Sequence, residues 1–278
     1  MSTLQSKIGL GTVQFGTDYG ISNLQGKTSN EEVGNILEYA LKSDITYLDT
    51  AYAYGDAETV LGNFDLKPYK IISKYIPNDI SLTEQFHKSL LRLGVDSFYG
   101  YLAHRPLDLI EDGKKNWNIL KEFQSGGKVK KIGASFNSKE ELDALLDSGI
   151  ELDIIQVPFN YFDHRFEYDM KKLKDQGVEI HTRSAFLQGL FFCDPDILDD
   201  FFNDIKVHLK ELQKAEDLAG KLLKFVLEKP FVDVVNIGVN NLAQLEENLM
   251  QIRKVSEELP KITNQFDSRI LMPSEWPK

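Results

Sequence analysis

Four side chains of the kinds that transfer protons follow apolar stretches of this sequence. Asp49 comes directly after the run Ile45 to Leu48, and Tyr54 follows in the next loop. Lys74 and His104 end two later runs that are apolar enough to be buried strands. An Asp at a strand end can simply cap the next turn, and a Tyr can pack on the surface. Because polar residues recur at successive strand ends, a chemical site is the better interpretation.

These residue types could protonate a carbonyl group. A Lys74 ammonium beside Tyr54 would stabilise the phenolate and lower the pKa of the phenol, so that Tyr54 could donate or accept a proton near neutral pH. Asp49 would keep Lys74 charged and oriented, and a neutral His104 imidazole could align a substrate oxygen with Tyr54. No side chain can deliver hydride to the same carbonyl. The sequence therefore predicts a nicotinamide cofactor.

Apolar runs and helical patterns alternate along the chain and predict the elements that position these residues. Capping signals, such as Ser138 with Glu141, precede several of the helical patterns. Buried strands that alternate with helices form a parallel sheet, and eight such units favour closure into a (β/α)8 TIM barrel. The predicted strands are 7–13, 45–48, 69–74, 98–104, 130–135, 154–157, 178–183 and 232–237. We expect one α/β barrel domain over residues 1–278.

Two segments are additions to this repeating pattern. Before the last strand, an extended helical region over 194–226 carries apolar residues at heptad-like spacing from Leu198 to Leu212, with a second helical stretch through Leu223. We interpret this stripe as core packing or an inserted helix pair rather than a coiled coil that binds a partner. The C-terminal tail from Pro260 onward is predicted to be extended and to cover part of the barrel.

The composition excludes several classes of function. The 278 residues are 42% hydrophobic, enough for one large core. A net charge of -11 argues against nucleic acid or an anionic membrane as a partner. The single Cys193 excludes an internal disulfide, and we predict no metal site. No segment has the length of a membrane span, and the N-terminus lacks a signal-peptide pattern, so a cytoplasmic location is expected.

The proton-transfer residues also carry a resemblance to a known family. The motif Asp49-Thr-Ala-x-x-Tyr54-Gly55, Lys74 after an apolar strand, and His104 two residues before Pro106 resemble the aldo-keto reductases. The resemblance extends over essentially the whole chain, through 9–16, 127–135 and 238–248. It implies NAD(P)(H)-dependent interconversion of a carbonyl and an alcohol, with Tyr54 as general acid/base. Consistent with this, no Gly-x-Gly-x-x-Gly motif opens a helix, so a Rossmann domain is not indicated.

The resemblance also implies a set of cofactor-binding residues at the carboxyl face. Ser135 and Gln156 correspond to residues that hydrogen-bond the nicotinamide carboxamide, and Arg183 replaces the aromatic residue that stacks on the ring. The Arg183 guanidinium can stack in its place or bind an acidic substrate group. Asn240 stands where relatives that prefer NADP often have Arg or Lys. The implied set is Gly11, Thr12, Ser135, Gln156, Arg183, Ser184, Gly238, Asn240, Gln244 and Asn248, with NADP(H) as the expected cofactor and NAD(H) as the second.

Two other classes of function remain open from the sequence. A Schiff-base aldolase would use Lys74 without any cofactor, and a non-catalytic barrel could bind nicotinamide and regulate a partner protein. For the reductase, a sugar or sugar-derived aldehyde is the expected small-molecule substrate. Its selection is assigned to the loop residues Phe15, Tyr19, Tyr52 and Arg105.

Overall fold

The fold is a closed barrel of eight parallel strands in sequential order. The computed structural model describes residues 4–21, 23, 25–255, 259–260 and 266–277. The first and last strands pair in register through Gly11 and Gly238, which closes the barrel and confirms the predicted TIM barrel. The strands are β1 Ile8–Gly11, β2 Tyr47–Asp49, β3 Lys70–Tyr75, β4 Phe98–Ala103, β5 Val129–Ser135, β6 Ile154–Pro158, β7 Glu179–Arg183 and β8 Val234–Gly238.

Helices follow the strands and cover the outside of the barrel. Serine side chains accept capping N–H bonds at Ser29, Ser81 and Ser138, and Ser138 with Glu141 forms the predicted capping box. The helices are α1 Val13–Gly16, α2 Asn30–Lys42, α3 Ala57–Leu61, α4 Leu82–Leu93, α5 Lys115–Ser125, α6 Lys139–Asp147, α7 Glu167–Asp175, α8 Asn203–Leu212, α9 Leu218–Leu227 and α10 Leu242–Lys254.

Several strand boundaries differ from the predicted ones. The first strand ends at Gly11 rather than Val13, because the short helix α1 begins at Val13 with Thr12 as its N-cap residue. The second strand begins at Tyr47 and contains Asp49, whose neighbours in register are Gly11 and Ile72. Asp49 is therefore fixed by ladder pairing on both sides instead of standing at the start of a loop.

The helical region before β8 divides into an insertion and a barrel helix. Leu223, Val226 and Leu227 of α9 pack in the main core against the barrel, so α9 is the helix that connects β7 to β8. Helix α8 is the insertion. Its buried face joins a second apolar cluster, which also holds Leu187 and Leu222 from the loop after β7 and from α9. Of the two predicted interpretations, core packing is right for both helices and insertion only for α8.

The described part of the C-terminal tail lies on this second cluster. Ile270 and Leu271 are buried in it, and the Trp276 indole donates a hydrogen bond of 2.9 Å to the Ile270 carbonyl. The prediction of an extended tail is wrong for 266–277, because turns and a 3-10 helix at Pro273–Glu275 fold it back on itself. Within the described residues no helix is long and apolar enough to cross a membrane, and no group of potential ligands could hold a metal ion.

Candidate active site

The carboxyl ends of β2 and β3 hold the loop that carries Tyr54. The Thr12 N–H and hydroxyl both donate to the Asp49 carbonyl at 3.0 Å, which ties β1 to β2. The Tyr52 N–H donates to the Lys74 carbonyl at 2.9 Å and holds the loop against β3. Two of these three bonds join backbone groups at strand ends, so barrel closure itself sets where the loop begins.

Asp49 and Lys74 form a buried ion pair inside the top of the barrel. Lys74 Nζ lies 2.7 Å from Asp49 Oδ1 and donates a second bond of 2.9 Å to the Thr50 carbonyl. The other carboxylate oxygen of Asp49 accepts from Gln156 Nε2 at 2.6 Å. Lys74 is 0% exposed and Asp49 4%. Burial lowers the pKa of Lys74 from its ordinary value, and the contact with Asp49 raises it and offsets part of that effect.

The rings of Tyr54 and His104 lie next to this pair. Lys74 Nζ is 5.2 Å from the centre of the Tyr54 ring, and the Tyr54 and His104 rings meet edge to face with centroids 5.7 Å apart. The structure therefore brings together the four side chains that the sequence singled out. Gly16 makes the approach of the Tyr54 loop feasible, since a Cβ at that position would lie 1.9 Å from the Tyr54 carbonyl oxygen.

The environment keeps Tyr54 protonated and His104 neutral. Burial and, next, the charge of Asp49 raise the pKa of Tyr54 above its ordinary value, while Arg183 lowers it in part. The expectation that the Tyr54 pKa is lowered is therefore wrong for this structure, because desolvation of the phenolate and the nearby Asp49 carboxylate outweigh the charge of Arg183. Burial, followed by the charges of Lys74 and Arg183, lowers the pKa of His104 to about 3. His104 is therefore a neutral imidazole, as predicted.

A cavity of about 550 Å³ opens beside Tyr54 and extends to the start of α10. Most of the predicted site residues line it, whereas Lys74, His104, Ser135 and Gln156 do not. Of the four loop residues assigned to substrate selection, only Tyr19 lines the cavity. Phe15 is fully buried in the core, the Tyr52 ring lies under the Arg92 guanidinium, and Arg105 is exposed but does not line the cavity. The predicted residues on the wall are Gly11, Thr12, Asp49, Tyr54, Arg183, Ser184, Gly238, Asn240, Gln244 and Asn248.

Ser135 and Gln156 are neighbours in register on β5 and β6 and are both buried. The Gln156 amide nitrogen already donates to Asp49, and its Oε1 is buried without a hydrogen-bond partner. In this arrangement Gln156 orients Asp49, a role that the sequence pattern does not predict. A carboxamide contact remains a prediction for Ser135 and for the Oε1 atom of Gln156.

Arg183 is fixed at the edge of the cavity by the loop that follows β5. Its Nη2 atom donates to the Phe136 carbonyl at 3.0 Å and to Asn137 Oδ1 at 2.5 Å. The next residue, Ser184, has a left-handed backbone with φ of 63° and accepts from the Arg183 Nη1 atom at 3.4 Å. These contacts hold the guanidinium beside Tyr54 as a planar cation.

Sequence reasoning missed several polar residues on the cavity wall. Asn236 is 6% exposed, and neither polar atom of its side chain has a partner. Gln14 Oε1 is also buried and unpaired, as is Oδ1 of Asn240, which belongs to the predicted set. A polar residue inside the apolar run of β8 was the available signal for Asn236, but Gln14 had none. An elongated ligand with donors and acceptors along its length fits this wall, because it would satisfy groups whose burial is otherwise costly.

Comparison with known proteins decides the family. The model of the Aldo/keto reductase family matches residues 7–264. This chain belongs to the aldo/keto reductase family. It is 25% identical to the aldo-keto reductase YhdN of Bacillus subtilis over 283 aligned residues, which cover 87% of this chain and 83% of that protein. Membership in the family makes the chain an NAD(P)-dependent oxidoreductase.

Solved structures of aldo-keto reductases share the barrel. The holo form of an aldo-keto reductase from Bacillus halodurans has a TM-score of 0.72 at 19% identity and covers 91% of this chain and 88% of its own. An aldo-keto reductase from Klebsiella pneumoniae in complex with NADPH has a TM-score of 0.66 at 22% identity, with 90% and 87% covered. At 19% and 22% identity, the similarity to these structures supports the fold of this chain and nothing further.

Proposed function

We propose that this protein interconverts a carbonyl group of a small molecule, an aldehyde, ketone or sugar-derived carbonyl, and the corresponding alcohol. Residues 1–278 act as a single barrel domain, and Tyr54 is the general acid/base. One observation carries the proposal: the Tyr54 ring lies on the cavity wall, 5.2 Å from the ammonium of the buried Lys74 and edge to face with the neutral His104.

The protonation states support Tyr54 as the proton donor in carbonyl reduction. Its raised pKa keeps the phenol protonated in the resting protein. The charge of Lys74 beside the ring would stabilise the phenolate once the proton has left, and Asp49 with the Thr50 carbonyl holds Lys74 in place. The imidazole of His104 is neutral, so it adds no charge to the site. It can donate one hydrogen bond to a substrate oxygen or accept one from a substrate hydroxyl.

A nicotinamide cofactor, NADP(H) or NAD(H), supplies the hydride when it is bound. The residues that would hold it are the predicted wall residues of β1, β7, β8 and α10, together with the unpaired groups of Asn236 and Gln14. Arg183 would lie at the nicotinamide end, where a fixed positive charge favours the reduced, uncharged ring over the oxidised, cationic one.

The wall near Tyr54 supports a sugar-derived carbonyl as the substrate. The aromatic residues Tyr19, Phe186 and Phe192 line the cavity together with the amide residues Asn23 and Gln188. Gln188 Nε2 donates to the Tyr19 hydroxyl at 2.7 Å, which fixes both polar groups at the cavity mouth. Aromatic faces and fixed amides together suit a molecule that has apolar C–H surface and several hydroxyl groups.

The aldolase alternative has a physical argument against it. A Schiff-base lysine must be an accessible neutral amine, whereas Lys74 is fully buried and donates to a carboxylate. The regulatory alternative keeps cofactor binding but predicts no turnover, so the same assay distinguishes it from the reductase.

The test is Tyr54→Phe, assayed for NADPH and NADH oxidation with a panel of aldehydes, ketones and aldoses. The ring keeps its packing and loses only the proton donor, so the rate should fall by roughly 10²–10⁴ while both cofactors still quench protein fluorescence. Wild-type turnover on no member of the panel, or equal turnover in the variant, would refute the assignment.

A further inference from the structure

The far end of the cavity, away from Tyr54, is formed by the start of α10. Asn240, Gln244, Glu247 and Asn248 line it there. This inference rests on the proposed function: with the nicotinamide at Tyr54, the adenosine half of an extended cofactor would lie near the start of α10, at the other end of the same cavity. The chemistry of this helix start therefore determines how the protein treats the 2′-phosphate that distinguishes NADP(H) from NAD(H).

The backbone N–H groups at this helix start are largely occupied. A helix N-terminus binds phosphate through free N–H groups, but the Asn240 N–H donates to Gln244 Oε1 at 2.8 Å and the Gln244 N–H donates to Asn241 Oδ1 at 2.9 Å. The Leu242 N–H donates to Glu32 Oε1 at 2.5 Å. Glu32 comes from α2, a distant part of the sequence that barrel closure brings beside α10.

The charges at this end oppose a further anion. Among the described wall residues, Arg183 is the one cation, and it lies at the opposite end beside Tyr54. At the α10 end the wall carries the acid Glu247 and the neutral Asn240, and the Glu32 carboxylate stands at the helix start itself. A 2′-phosphate of about -1.5 to -2 charge would be placed among carboxylates. A free ribose 2′-hydroxyl would carry no such penalty and could donate to an acid.

We propose that Glu32 is a cofactor-specificity residue that selects against the 2′-phosphate of NADP(H) and so reduces its advantage over NAD(H). Glu32 acts by charge and by occupying the Leu242 N–H. For a phosphate bound within one Debye length of the carboxylate, about 8 Å, and an effective dielectric constant of about 20–40, Coulomb's law gives a roughly three- to ten-fold effect on NADPH affinity.

The test compares Glu32→Gln with wild type by titrating NADPH and NADH and following the quenching of protein fluorescence. The substitution keeps an oxygen that can accept from Leu242 and removes only the charge. The ratio of the two dissociation constants should move toward NADPH by three- to ten-fold at 0.15 M salt and by less at 0.5 M salt. The matched control is Glu31→Gln, an exposed acid on the same helix turn, which should change the ratio less than two-fold.

Asn240→Arg provides a second measurement, since it adds a positive charge at the end of the cavity where Glu32 and Glu247 are negatively charged. Combined with Glu32→Gln, it should shift the ratio further toward NADPH than either change alone. An unchanged ratio in Glu32→Gln with both cofactors still bound would overturn this inference alone, as would an equal loss of both affinities. If wild type binds neither cofactor, the proposed function fails together with the inference.

Discussion

Replacement of Lys74 by Met tests the buried ion pair through stability and activity at once. Lys74 is 0% exposed and Asp49 4%, so the substitution leaves a buried carboxylate whose remaining side-chain partner is the Gln156 amide. Removing one partner of a buried pair costs about 3–5 kcal/mol. At about 2–4 °C per kcal/mol for a domain of a few hundred residues, the melting temperature should fall by roughly 6–20 °C.

The assay is urea unfolding followed by circular dichroism for wild type, Lys74→Met, Asp49→Asn and the double variant. The double variant should recover a large part of the loss, because no uncompensated charge stays buried. Lys70→Met is the matched control: Lys70 begins the same strand, is exposed, and donates to the Tyr47 hydroxyl at 3.1 Å, so its change should stay within about 0.5 kcal/mol.

Activity of the folded Lys74→Met protein at 25 °C should fall by roughly 10²-fold or more, since the phenolate of Tyr54 loses its stabilising cation. Strictly additive unfolding free energies across the four proteins would refute the coupling. Full activity with an unchanged pH profile in Lys74→Met would refute the electrostatic role of Lys74 in catalysis.

Two further predictions follow from the same geometry. The folded-state pKa of His104, about 3, lies below its unfolded value near 6.5, so the unfolded chain binds more protons and wild type loses stability as pH falls between these values. The unfolding free energy of His104→Gln should therefore fall by roughly 2 kcal/mol less than that of wild type between pH 7 and 4.5. An equal fall in both proteins would show that His104 does not titrate this way. Gly16→Ala would place a Cβ 1.9 Å from the Tyr54 carbonyl oxygen, so kcat should fall at least ten-fold and the melting temperature should drop; unchanged kinetics would show that the Tyr54 loop can shift without consequence.

The sequence by itself determined which elements form and which residues stand at their ends. Periodicity and capping are local properties, so the alternation of strands and helices, the cap at Ser138 and the positions of Lys74 and His104 could be predicted. Eight strand-and-helix units in one domain then favoured closure of the parallel sheet into a barrel. Because strand ends in such a barrel converge, the grouping of Asp49, Tyr54, Lys74 and His104 followed from their places in the chain.

Only the tertiary structure decided how these groups perturb one another. The direction of the Tyr54 pKa depends on burial and on the distance to Asp49, which no local pattern encodes. The bond from Gln156 to Asp49 joins opposite sides of the barrel interior. The contact of Glu32 with Leu242 exists because pairing of β1 with β8 brings α2 against α10. These contacts join residues far apart in sequence and form only when the barrel closes. The electrostatics of the site therefore depend on the tertiary structure.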